Sequence, residues 1–178
     1  MTDWELIRRT HAAMVWHTVA RILRNHDDAL DCSQEVFAEA MQRSNKRCVD
    51  SWGPFLRWLA TRRAIDALRK RRSTAPYDEA IEAAPSDGAS PPAAARFVEL
   101  VEAVRLHLAD LPPPQAQAFW LVCVEERSYD EVAQQMQLTS NAVGVLVHRA
   151  RSFLRTKLHA YRPSPIQPDA SESSARHD

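Results

Sequence analysis

Residues 74–94 (TAPYDEAIEAAPSDGASPPAA) decide how this chain can be organised. They combine proline, serine, alanine and four acids with no lysine or arginine and little apolar bulk. Such a stretch cannot bury enough surface to offset the entropy of ordering it. It reads as a flexible acidic linker, so the segments on either side, 1–73 and 95–160, each have to build apolar faces of their own. The tail 161–178, with Pro163, Pro165, Pro168 and many serines, reads as disordered.

Both long segments carry helical periodicity, and no strand reading competes. Residues 4–24 place Leu6, Ile7, Met14, Val15, Val19, Ile22 and Leu23 on a broad stripe. After Asn25–Asp28, which can cap a helix start, Leu30, Ser33, Phe37, Ala40 and Met41 recur at three- to four-residue steps. The pattern pauses over Arg43–Ser51 and resumes with Trp52, Phe55, Leu56, Leu59, Ile65 and Leu68, ending in Arg69-Lys-Arg-Arg72. Pro54 fits a first helical turn. Beyond the linker, Phe97, Leu100, Val101, Val104 and Leu108 define an amphipathic helix. Pro112-Pro-Pro114 then opens a short apolar helix with Phe119, Trp120, Val122 and Cys123. Ser128-Tyr-Asp-Glu131 has the spacing of a capping box. Thr139 can cap a last helix holding Val143, Leu146, Val147, Ala150, Phe153 and Leu154. The expected fold is all-α, two small helical domains on a tether.

Catalysis finds little support. The three glycines, Gly53, Gly88 and Gly144, are too scattered for a phosphate-cradling loop. Cys32, Cys48 and Cys123 form no CxxC pair and leave one odd. The seven histidines show no metal-ligand spacing, and the acids Asp27, Asp28, Asp31 and Glu35 gather at a helix start, where they favour the helix dipole. No apolar run approaches the ~20 residues of a membrane span, and no signal-peptide layout is present. The expectation is a cytoplasmic protein with no catalytic residue, metal, cofactor or membrane insertion.

The charge distribution points elsewhere. Lysine plus arginine equals aspartate plus glutamate at 23 each. Yet residues 43–73 hold 10 basic and 2 acidic residues, and 148–160 hold 4 basic and none acidic. Basic blocks confined to particular helices are the footprint of polyanion binding, although a solvated helix face looks the same. In the first block Trp52 and Trp58 interleave with the arginines, and an aromatic face can stack an unpaired base. Trp52 and Phe55 share a face with Leu56 and Leu59 and read as core. Trp58 lies nearer Arg62 and is open to either reading. In the second block, residues 128–151 have helix-turn-helix spacing, and Arg149, Arg151, Arg155 and Lys157 could neutralise phosphates. An ordinary αα-hairpin has the same periodicity.

Three segments carry a family resemblance. Leu111-Pro-Pro-Pro-Gln-Ala-Gln-Ala-Phe119 through Glu125, Ser128-Tyr-Asp-Glu-Val-Ala133 and His148-Arg-Ala-Arg151 together resemble the C-terminal DNA-binding domain of bacterial sigma factors, most of all the small extracytoplasmic-function (ECF) group. Asp27 to Phe37 resembles that group's polymerase-binding helix, and Phe55 to Arg69 resembles its promoter-melting helix. The resemblance covers most of residues 10–158. It implies a protein that binds core RNA polymerase, recognises promoter DNA and helps open the duplex, without an active site of its own and with an anti-sigma factor as a further partner. It implies polymerase contacts at Asp31, Gln34 and Glu35, with Phe37 turned inward. It implies contacts to the promoter-proximal element at Asn45, Lys46, Arg47, Trp58, Thr61, Arg62, Arg69 and Lys70. In the helix-turn-helix it implies Thr139, Ser140, Asn141, His148, Arg149 and Arg151.

Three departures stand out. Arg62 replaces the family's usual asparagine, and Gln137 replaces its turn glycine. The middle of the last helix reads Ala142, Gly144, Val145 and Leu146 where polar, groove-facing residues are usual. Contact there would be mostly to phosphates, or the apolar strip docks on protein. A stand-alone helix-turn-helix regulator and a helical interaction module are the competing readings.

Overall fold

The computed structural model describes residues 3–45, 49–74 and 93–158. They form seven helices: α1 (Trp4–Leu23), α2 (His26–Ser44), α3 (Trp52–Thr74), α4 (Ala93–Leu108), α5 (Pro113–Cys123), α6 (Tyr129–Met136) and α7 (Ser140–Lys157). No strand occurs among the described residues. The linker 75–92, Lys46, Arg47, Cys48 and the tail beyond Leu158 lie outside them.

Local chemistry sets the helix boundaries. Asp3 accepts from the Leu6 N–H at 3.0 Å, and Asn25 from the Asp28 N–H at 2.9 Å, each satisfying a first-turn donor. Pro113 and Pro114 open α5, where their missing donors are harmless. Ser128 and Glu131 form the reciprocal capping box, and Thr139 caps α7 by accepting from the Ala142 N–H at 3.2 Å. Arg24 ends α1 in the left-handed conformation at φ 53°. Gln137 does the same for α6 at φ 57°, without the ease that glycine would bring.

Helices α1, α2 and α3 form the first module. Val15, Val19 and Ile22 of α1 pack with Val36 of α2 and with Leu56, Leu59 and Ile65 of α3, all fully buried. Burying each such side chain contributes roughly 1.5–3 kcal/mol. Helices α5, α6 and α7 close around a smaller cluster of Ala118, Leu121, Val132, Ala133, Val143 and Val147. The two modules do not stand apart. Leu108, Leu111, Trp120 and Leu154 of the second belong to the same buried cluster as the first module's core, and α5 lies against α3.

Two sequence expectations are corrected. The apolar stripe of α2 is Ala29, Cys32, Val36 and Ala40, one residue away from the stripe read from Leu30 and Met41. Leu30 and Met41 point outward instead. Small residues on the inward face allow α2 to approach its neighbours closely, and a wide apolar face leaves periodicity alone unable to choose between the two stripes. Likewise Leu6 of α1 is exposed, whereas Ile7 is buried.

Candidate nucleic-acid interface

Three surfaces gather the residues of interest. The first is the outer face of α2. Asp31, Gln34 and Glu35 are exposed there, with Leu30 and Met41 at the margins. Phe37 is half-buried against the core. The arrangement is an acidic face with apolar ends, suited to a basic protein partner. Periodicity alone assigns both residues to the core and so does not reveal these apolar ends.

The second surface runs from the α2–α3 connection along α3. Asn45 is exposed at the end of α2, and Lys46 and Arg47 lie outside the described residues. Trp58 is half-buried. The Arg43 and Arg62 guanidinium groups lie over its ring at 5.3 and 5.9 Å, and Phe55 stacks beside it at 6.0 Å. Its indole N–H has no hydrogen-bond partner among the described residues. A cavity of about 650 Å³ opens here, lined by Arg43, Phe55 and Trp58 on one side and by Gln134, Met136 and Gln137 of α6 on the other. Thr61, expected among the DNA-contacting residues, is instead fully buried. It shares the buried face of α3 with Ala64 and Ile65, three and four residues on, so its hydroxyl is not presented to solvent.

Much of the positive charge along α3 is neutralised within the chain. Glu39 alone binds Arg43 at 2.6 Å, Arg62 at 3.4 Å and Arg63 more closely. Burial pushes the Glu39 carboxyl up, but the hydrogen bonds from Arg63 and Arg43 outweigh it and hold the group below its ordinary value. Glu35 lies 3.6 Å from Arg63, and Asp28 and Asp110 pair with Arg71 and Arg72 at 3.0 and 2.9 Å. Arg69 donates to the Leu111 carbonyl at 2.9 Å, and Lys70 is exposed. The net +8 of residues 43–73 therefore overstates the field this helix presents.

The third surface is α7. Asn141, Val145, His148, Arg149 and Ser152 are exposed at the spacing of one helical face. Thr139 and Ser140 have structural work to do: one caps the helix and the other donates to Asp130 of α6. Arg151 donates to the Cys123 Sγ at 3.2 Å. The side chains at hand for base edges are thus Asn141 and His148, and Arg149 is an exposed cation. Glycine in mid-helix leaves room here: a Cβ at Gly144 would meet Tyr129 at 3.8 Å, an ordinary contact. The polar groups that specify a major-groove reader are few, as the sequence indicated.

Comparison with known proteins places both modules. The family model "Sigma-70 region 2" matches residues 7–74, and "Sigma-70, region 4" matches residues 102–154. The ECF RNA polymerase sigma factor SigE of Mycolicibacterium smegmatis is 26% identical over 170 residues, covering 94% of this chain. The chain spans 66% of that relative's length. SigW of Bacillus subtilis, another ECF RNA polymerase sigma factor, is 26% identical over 156 residues, covering 81% of this chain and 82% of the relative. Among solved structures, the complex of the sigma factor RpoE with the anti-sigma factor NepR from Bartonella quintana has a chain of similar fold. It gives a TM-score of 0.53 at 16% identity, covering 91% of this chain and all of that one.

Proposed function

We propose that this chain, which belongs to the sigma-70 family and within it to the ECF group, binds core RNA polymerase, directs it to promoter DNA and supports opening of the duplex. The observation that carries this reading is the pair of region models in order along one chain, region 2 before region 4. An anti-sigma factor is the natural regulatory partner. The chain acts in the cytoplasm and contributes no catalytic group, since RNA synthesis belongs to the polymerase. No helix among the described residues is long and apolar enough to cross a membrane.

The division of labour follows from the chemistry of each surface. Asp31, Gln34 and Glu35 of α2 meet basic residues of the polymerase, with Leu30 and Met41 adding apolar contact. Opening a duplex costs on the order of 1.4 kcal/mol per base step. Stacking an extruded base on an aromatic ring returns about 1–3 kcal/mol, and Trp58, flanked by Arg43 and Arg62, is the ring suited to it. Asn45, Lys46 and Arg47 are assigned to the same promoter-proximal strand, and Arg69 and Lys70 to its phosphates. In the second module Asn141 and His148 reach base edges, with Arg149 and Arg151 on the backbone. Two weak modules gain affinity through effective concentration once the polymerase sets their spacing.

Reconstitution with core polymerase tests the reading. Co-elution and transcripts that depend on both this chain and its promoter are expected. Duplex binding that needs no polymerase, with no transcripts, would mark a stand-alone helix-turn-helix regulator instead.

A further inference from the structure

We propose that Val145 of α7 is a specificity-determining residue, reading the 5-methyl group of a thymine in the major groove of promoter DNA. The inference rests on the sigma-factor reading above and deepens it, by naming a base that the apolar stretch of the last helix selects.

Val145 is 43% exposed, and no other large apolar side chain of α7 is exposed. The buried face of that helix is Val143, Val147, Ala150 and Leu154. Val145 stands two residues, about 200° of rotation, from both Val143 and Val147, so it points directly away from the core. It lies within the first two turns of a helix that begins at Ser140, the part of a recognition helix that meets base edges. The start of that helix is fixed: Thr139 caps it and Ser140 donates to Asp130 of α6. Asn141 stands one turn before Val145, and His148 and Arg149 one turn after, all exposed. The side chains of these three make no hydrogen bond or ion pair among the described residues, so they are at hand to flank a duplex. Local structure gives no reason for a valine here. A β-branched residue loses rotamer freedom in a helix and gains nothing in water.

The chemistry of the groove supplies the reason. Thymine alone among the four bases presents a methyl group there, and an apolar side chain is its complement. Cytosine offers an amino donor at the neighbouring edge. A valine cannot accept from it, so covering that amino group leaves a polar atom without its water. The side chain therefore favours thymine by attraction and disfavours cytosine by desolvation. Its polar neighbours narrow the position. Four residues of helix span about 6 Å, less than the roughly 7 Å of two base-pair steps, so the thymine lies within two base pairs of the base that Asn141 reads. Arg149, one turn beyond, is then placed for the phosphates that border the same stretch. A helix poor in polar groups can in this way still discriminate bases.

The test uses the full-length chain assembled with core polymerase. The assembly selects its duplex from a random-sequence pool, and each thymine of that duplex is then replaced in turn by deoxyuridine, which lacks only the 5-methyl group. At one thymine the replacement is expected to weaken wild-type binding about fourfold, the worth of one buried methyl group. Val145→Ser should bind the two duplexes alike, and Val145→Thr, which keeps one of the two methyl groups of valine, should lose about twofold. The side chain is exposed, so neither variant disturbs the core, and the ratio of the two affinities is blind to a general loss of stability. If no replacement weakens wild-type binding, or if Val145→Ser loses as much as wild type, the proposal is overturned. Failure of Val145→Ser to assemble with polymerase, with an unchanged ratio in the fraction that does, also overturns it, since the strip would then face protein. A wild-type chain that assembles and transcribes yet ignores the methyl group removes the role of Val145 and leaves the sigma-factor reading standing. A chain that neither assembles nor selects a duplex removes both.

Discussion

Along α3 most of the arginines pair with carboxylates of the same chain, whereas along α7 Arg149 and Arg155 face solvent. Arg43, Arg62 and Arg63 converge on Glu39, and Arg57 on Glu125. Among the described residues, Arg149 and Arg155 have no carboxylate partner, and both are exposed. The longer basic block, with its larger net charge, is thus the less available one. A count of charges along a segment measures what a helix carries; only the pairing decides what field it presents to a polyanion. The two helices correspondingly suit different tasks. The proposed function assigns duplex phosphates to α7 as it stands, and strand binding to α3 once its internal partners are displaced.

The sharpest challenge to that contrast is at Trp58. Replacing Trp58 and Arg62 together by alanine should lower promoter opening ten- to a hundredfold, in line with about 1–3 kcal/mol per stacked base, while polymerase binding changes little. Permanganate reactivity of promoter thymines reports opening, and unchanged reactivity would remove this face from the melting step.

A second, smaller effect concerns Glu39. Glu39→Gln should release the arginines around it, tightening single-strand binding. The substitution should also cost about 1 kcal/mol of stability, because the arginines are more than a third exposed and partly screened. Urea denaturation measures it. The pH dependence has a definite sign. A carboxyl held below its ordinary value contributes stability that is present above the unfolded value near 4.5 and lost as pH falls through the folded value. The gap between wild type and Glu39→Gln should therefore close on acidification below that point. A gap that persists at low pH would show that the ion pairs around Glu39 are not its source.

The smallest effect is in salt dependence. Arg149→Ala should reduce the slope of log affinity for duplex promoter DNA against log salt by about 0.9, the value of one phosphate contact. Arg63→Ala, whose guanidinium is already paired with Glu35 and Glu39, should move it far less. Equal reductions would erase the distinction between the helices.

How far the chain could be read in advance follows the range of the interactions. Asn25, the Ser128–Glu131 box and Thr139 each act within three residues, and each was legible. The inward face of α2 was not, because Ala29, Cys32 and Val36 compete with Leu30 and Met41 for the same periodicity. Nor was the burial of Thr61, a polar residue on a helix rich in arginine. Cys32 is a case where burial sets the chemistry: its thiol is pushed up to about 12, chiefly by burial and next by the Glu35 charge, which leaves it unreactive at neutral pH. Glu125 ends a segment that carries the family resemblance, but nothing near it in the sequence pointed to its pairing with Arg21 and Arg57.

By itself, the sequence determined where helices start and stop, that they fall into two groups, and where the basic blocks lie. These depend on neighbouring backbone donors, on proline and on apolar spacing, all local. Which arginines are neutralised, and that the modules share a core, depends on how the helices pack. The pairs responsible join residues 68 and 104 positions apart, Arg57 and Arg21 with Glu125. No periodicity or cap spans such a separation, so their meeting is set by how the packed helices bring distant charges together.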